Sequence, residues 1–185
     1  MQIAAQSRMA DVLQPMETAA FAAFVEARRE RAVRVAYRML AGDQDAAEDV
    51  AQNAFLRAHR ALAGFRGESS LDTWFYRILV REVQRHRRWR GLRQIFVGGA
   101  EQAPEPADER ATADPGLRRR IRDALERLSP AQREVFVLIH LEEQSVAETA
   151  AVLGKAIGTV KSHLHRALES LRHELADLAK EGRER

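Results

Sequence analysis

Residues 145–172, SVAETAAVLGKAIGTVKSHLHRALESLR, decide the reading of one half of the chain. Ser145 followed three residues later by Glu148 is a capping box, in which hydroxyl and carboxylate each satisfy a backbone N–H that a helix start leaves open. A short helix therefore begins at 146 and runs into Gly154, a residue that tolerates the left-handed turn ending many helices. A second helix starts near Ile157 and runs toward Leu178. A helix of two turns, a break at Gly154-Lys155-Ala156 and a longer helix make the helix-turn-helix plan. At about 100° per residue, Ile157, Val160, Leu164, Leu168 and Leu171 share one face, and Gly158, Ser162, His165 and Glu169 take the other. Lys161 and Arg166 flank that polar face. Such a helix enters a major groove N-terminus first, with Ser162 and His165 near base edges and Gly158 allowing close backbone approach. Lys161 and Arg166 can hold phosphates or a guanine edge. An ordinary helical hairpin with a solvated face carries the same pattern, so the rest of the chain has to choose.

At 185 residues and 45% hydrophobic content the chain can bury a core of one medium or two small domains. No run of about 18 apolar residues exists, so no membrane insertion is expected, and the N-terminus lacks the basic head and apolar stretch of a secretory signal. A cytoplasmic location is the plain expectation. The absence of cysteine excludes disulfides, thiolate metal sites and thiol nucleophiles. All but three of the 30 basic residues are Arg, which favours bidentate contacts with phosphates and bases. A high-GC coding bias enriches Arg, Ala and Leu as well, so the placement of charge has to decide.

Two helical blocks flank a different segment. Phe21, Phe24, Val25, Ala32, Val35, Ala36 and Leu40 recur at helical spacing, as do Ala47, Val50, Ala51, Ala54, Phe55, Ala58 and Leu62. Leu71, Trp74, Phe75, Ile78 and Leu79 give a third stripe, and Asp45 with Glu48 predicts a capping box for the second helix. The polar loop AGFRGESS, 63–70, separates the second and third helices. Residues 98–116 hold three of the five prolines and five acids against one Arg, the composition of an extended linker. Ser129-Pro130-Ala131-Gln132 is a further capping box. Strand signals are absent. The expected fold is all-α: two small helical domains joined by a flexible linker, the second containing the helix-turn-helix.

Charge is distributed in the first block as a duplex reader would not need it. Asp43, Asp45, Glu48 and Asp49 open the second helix, which suits a protein partner or the helix dipole rather than DNA. The third helix reverses the sign. Arg77, Arg81, Arg85, Arg87, Arg88, Arg90 and Arg93 stand against only Asp72 and Glu82, with Trp74, Phe75, Tyr76 and Trp89 interleaved. Basic groups that track a backbone beside aromatic faces are what single-strand binding requires. Phe75 reads as core, while Trp74 is open between core and base stacking.

The stretch LSPAQREVFVLIHLEEQSVAETAAVLGKAIGTVKSHLHRALESLR resembles the C-terminal DNA-binding region of extracytoplasmic-function sigma factors. Residues 36–90 resemble the other shared part of that family, in the family's order. The resemblance implies sigma region 2 at 17–93, an acidic linker at 94–116 and sigma region 4 at 117–180. It implies core RNA polymerase (beta and beta-prime subunits) and promoter DNA, duplex and single-stranded, as partners, with an anti-sigma factor as inhibitor. Asp49, Gln52, Asn53 and Leu56 would lie against the clamp helices of the largest polymerase subunit. FRGESS, 65–70, would close over a flipped minus-ten base, with Arg66, Glu68 and Ser69 as polar contacts and Trp74, Arg77, Arg81 and Arg85 along the melted strand. Gly158, Lys161, Ser162, His165 and Arg166 would read the minus-thirty-five duplex. Arg81 stands where many members carry Asn, and a guanidinium cannot make the paired donor and acceptor contacts of an amide. Ala156 replaces the family's usual turn proline.

Other chemistry finds no foothold. His163 and His165 point apart on a helix, and His165, Glu169 and His173 align at four-residue spacing without further ligands, so no metal, cofactor or catalytic residue is assigned. The rival readings are a stand-alone helix-turn-helix regulator of duplex operators and a helical interaction protein that does not touch DNA.

Overall fold

Each helix break within the described residues carries a left-handed residue, a capping side chain or both. In the computed structural model, which describes residues 2–97 and 115–176, the elements are α1 (Gln2–Met39), α2 (Gln44–Ala61), α3 (Leu71–Val97), α4 (Pro115–Arg127), α5 (Pro130–Phe136), α6 (Val146–Leu153) and α7 (Ile157–Glu174). No strand occurs among the described residues. The acidic stretch from Gly98 to Asp114 and the C-terminal residues from Asp177 onward, including Leu178, lie outside them.

After α1 the chain turns through Ala41 and Gly42, at φ 60° and 87°, and Gly42 N–H donates to the Tyr37 carbonyl at 2.9 Å. That turn leaves Asp43 extended, and its carboxylate accepts from Ala46 N–H at 3.1 Å. Asp43, rather than the expected Asp45, therefore caps α2. The reason is that the left-handed pair delays the helix by fewer residues than the Asp45–Glu48 spacing implies. Both downstream capping boxes form as expected. Ser129 and Gln132 exchange hydrogen bonds of 2.8 and 3.3 Å, and Ser145 and Glu148 exchange bonds of 2.8 and 3.1 Å.

Helices α1, α2 and α3 pack around Phe24, Val35, Met39, Val50, Phe55, Phe75, Leu79 and Val83. The rings of Phe55 and Phe75 stack at 4.5 Å, with Phe24 edge-on to Phe75 at 5.5 Å. Such aromatic pairs add to the area they bury. The buried face of α2 is largely alanine (Ala46, Ala47, Ala51, Ala54, Ala58), so its neighbours can approach closely. In the second half, Ala124, Leu125 and Leu128 meet Ala167 and Leu171, and Val135 and Ala150 meet Val160. Buried Arg133 donates to the carbonyls of Leu125, Glu126 and Leu128, closing the end of α4.

Between α5 and α6 the helix widens into a π-helical turn at Val137–Leu141. Val137 and Leu138, with Val152 of α6, are buried in the same apolar cluster as the α1–α3 core. The core of the first half thus extends onto these three residues, while the clusters around Ala167 and Val160 belong to the second half alone.

Candidate nucleic-acid interface

The turn between α6 and α7 pivots on Gly154, at φ 62° and ψ 37°, with Lys155 N–H donating to the Ala150 carbonyl at 3.0 Å. Helix α7 then seats Val160, Ala167 and Leu171 inward. Ile157, expected on that face, is 50% exposed. It is the first residue of α7, and the apolar neighbours Val135 and Ala150 are met one turn later, by Val160. Ala167, too small to register as a stripe residue, is buried instead. Gly158, Lys161, Ser162, His165 and Arg166 are all exposed. Ser162 Oγ donates to the Gly158 carbonyl at 2.9 Å, which leaves its lone pairs outward as acceptors. His165 Nε2 stands 3.3 Å from Glu169, a pair that is ionic when the imidazole is protonated.

In the first half, Gly67 at φ 71° turns the 64–70 loop, and Ser70 Oγ accepts from Thr73 N–H at 3.1 Å to start α3. Loop and helix border an open depression of about 400 Å³ lined by Gly64, Phe65, Arg66, Glu68, Ser69, Trp74 and Arg77. Trp74 is half-buried, and its ring lies 5.2 Å from that of Phe65 at 49°. It thus both packs on the core and borders the depression. Phe65 was not singled out from the sequence, although an aromatic inside an otherwise polar, glycine-punctuated loop was the available signal.

The arginines of α3 do not form one free basic surface. Arg87 pairs with Glu134 of α5, Arg90 with Asp43 at 2.7 Å, and Arg85 with Glu82 at 3.0 Å. Glu82 is buried and also holds Arg57 of α2 at 2.8 Å. Arg77 Nε donates to the Ala151 carbonyl of α6 at 3.0 Å. Arg81, Arg88 and Arg93 are exposed, beside Trp89 at 63% exposure. A charge balance taken along one helix misses acids that other helices bring to it.

Asp49, Gln52, Asn53 and Leu56 fall at i, i+3, i+4 and i+7 and form one exposed strip of α2, opposite its buried alanines. Asn53 Nδ2 donates to the Asp49 carbonyl at 2.8 Å, and Leu56 is 50% exposed. Asp43 leaves the acidic group by capping the helix and pairing with Arg90. Among the described residues, no three His, Asp or Glu side chains gather to hold a metal ion.

Two family models match the two halves: sigma-70 region 2 over residues 24–93 and sigma-70 region 4 over residues 118–171. The chain belongs to the sigma-70 family, in its extracytoplasmic-function group of RNA polymerase sigma factors. An RNA polymerase sigma-E factor of Streptomyces avermitilis is 35% identical over 159 residues, 86% of this chain and 87% of that protein. The ECF sigma factor SigW of Bacillus subtilis is 31% identical over 170 residues, 86% of this chain and 90% of that one. Among solved structures, the sigma factor RpoE in complex with the anti-sigma factor NepR from Bartonella quintana aligns with a TM-score of 0.73 at 29% identity. That alignment covers 84% of this chain and 96% of the other. CnrH, solved in complex with the cytosolic domain of CnrY, aligns at 0.64 and 27% identity, covering 86% and 90%.

Proposed function

We propose that the protein binds core RNA polymerase, through its beta and beta-prime subunits, and directs initiation at a particular set of promoters. Residues 17–93 act as the core-binding and minus-ten domain, 94–116 as an acidic connector, and 117–180 as the minus-thirty-five reader. The Asp49, Gln52, Asn53 and Leu56 strip docks on the largest polymerase subunit. Leu56, half exposed among polar neighbours, offers apolar surface that a docked partner would take out of water. The α7 face enters the major groove, with Lys161 and Arg166 on phosphate or guanine and Ser162 and His165 on base edges.

The observation that carries the reading is the Phe65–Trp74 depression beside an arginine-bearing helix. An open depression bordered by two aromatic rings and polar side chains has room for a base, which a protein that reads only duplex would not use. A base swung out of the stack, held against those rings, keeps the strands apart without ATP, and Arg66, Glu68 and Ser69 supply its polar contacts. Arg77, Arg81 and Arg85 follow the strand beyond it. The likeness to a sigma factor solved in complex with an anti-sigma factor supports an anti-sigma factor for this chain. Its action lies in the cytoplasm beside the polymerase, as binding that enzyme requires. The protein acts by binding and has no reaction of its own.

The test adds the purified protein to core polymerase on a promoter library and maps transcript starts. New, protein-dependent starts are expected. Tight binding of duplex operators without any core binding would establish the stand-alone regulator instead.

A further inference from the structure

The outward face of α7 offers a groove fewer donors than its residue types suggest. The Ser162 hydroxyl donates to the Gly158 carbonyl at 2.9 Å, so its lone pairs are what it presents outward. His165 lies three residues on, exposed on the same face, with Nε2 3.3 Å from Glu169 Oε1. Among the described residues, Glu169 is the one acid that pairs with it. A carboxylate only accepts, so the ring nitrogen turned toward it is the one that carries the proton. The neutral imidazole then keeps its lone pair on Nδ1, the nitrogen left for a base. Ser162 and His165 thus show the groove two acceptors, beside the cationic donors Lys161 and Arg166.

The donors that base edges present in the major groove are amino groups, N6 of adenine and N4 of cytosine, whereas guanine and thymine present only acceptors there. An acceptor set against an acceptor in a groove emptied of water leaves both unpaired, which costs more than a missing contact in solvent. In water the exposed His165–Glu169 pair contributes little. Docking on DNA removes water from around it and strengthens the attraction. Without Glu169 the ring can turn and the proton can sit on either nitrogen, so neither kind of base edge is favoured.

We propose that Glu169 is a positioning residue for promoter reading: it holds the Nε2–H of His165, so that Nδ1, beside Ser162 Oγ, accepts from the amino group of an adenine or cytosine in the upstream element. This rests on the assignment of α7 to the minus-thirty-five duplex. Glu169 stands a turn further from the end of α7 that enters the groove, and it acts through His165 without touching a base.

Core polymerase carrying the full-length protein first selects active promoters from a library randomised through the upstream element. The base pair whose preference disappears with His165→Ala marks the contact. The same holoenzymes then bind synthetic promoters at about pH 8, above the ordinary imidazole range. In these promoters purine replaces the adenine of that pair, or 2-pyrimidinone its cytosine, each lacking only the amino group. Relative to the parent base, the wild type should lose about three- to tenfold in affinity, the contribution of one hydrogen bond. His165→Ala and Glu169→Ala should each lose less than about twofold, within the scatter of a surface substitution. Glu169→Gln, whose amide oxygen still accepts from Nε2–H, should keep the wild-type loss. Both Glu169 variants remove the same charge near phosphate, so any uniform gain in affinity cancels when analogue is compared with parent base. In the His165→Ala background, Glu169→Ala should change nothing further. No loss in the wild type, equal loss in wild type and Glu169→Ala, or Gln behaving as Ala overturns the positioning role. A holoenzyme that initiates while no upstream base pair responds to His165→Ala also overturns it and leaves the sigma reading standing. A protein that fails to bind core overturns the sigma reading itself.

Discussion

Replacing Phe65 with alanine removes one aromatic border of the depression while leaving the other, Trp74, on its helix. Phe65 is only half-buried and lies outside the α1–α3 core cluster, so the bundle keeps its packing. Stacking of a base on an aromatic ring is worth about 1–3 kcal/mol by alanine substitution. Two rings 5.2 Å apart at 49° cannot both lie flat on one base, so the loss should sit in the lower part of that range. About 1–2 kcal/mol corresponds to about 5- to 30-fold weaker binding. The assay compares two fragments of a promoter selected with the protein's own holoenzyme. One is forked, with the minus-ten strand unpaired; the other is a duplex carrying only the upstream element. Anisotropy should show the loss on the forked fragment and less than about twofold change on the duplex, a difference within the ordinary scatter of a surface substitution. An equal loss on both, or none on the fork, would refute the assignment of the depression to a flipped base.

Lys161→Ala should weaken upstream duplex binding evenly across sequences and reduce the slope of log affinity against log salt by about one, as measured by titration at several salt concentrations. Leu56→Asp should cut core-polymerase binding at least about tenfold without lowering the melting temperature, since a half-exposed leucine matters to a partner rather than to the core. The hydrogen bond from Arg28 holds the Asp72 carboxyl below its ordinary range. The unfolded chain therefore binds the proton more readily, and stability conferred by this pair is complete above the ordinary carboxylate range and declines as pH falls through the lowered value. Asp72→Asn should flatten that acid limb in urea melts by at most about 1 kcal/mol, because the carboxylate is half exposed. A steeper acid limb in the variant would contradict the assignment.

Most of the candidate site was legible because its signals are local. Exposure of the α7 face and of the α2 strip follows from helical periodicity, which relates residues three and four apart. The depression was legible only as a polar loop next to aromatics, since its borders form when Phe65 in the loop meets Trp74 on α3. The capping boxes at Ser129 and Ser145 and the break at Gly154 were equally plain, each being settled within four residues of backbone.

What the sequence by itself determined is therefore the all-helical character, where most helices start, and which faces could carry DNA or a partner. Only the tertiary structure decided the seats that depend on distant neighbours. Ile157 lies beyond the reach of Val135 and Ala150, so it stays in solvent while Ala167 is buried. Asp43 becomes a cap and an arginine partner because a left-handed turn and the far end of α3 meet there. Arg31 finds Glu142 across 111 residues, and Arg87 finds Glu134 across 47. Charges so far apart along the chain carry no local pattern; only the packing that removes water around them makes one the partner of the other.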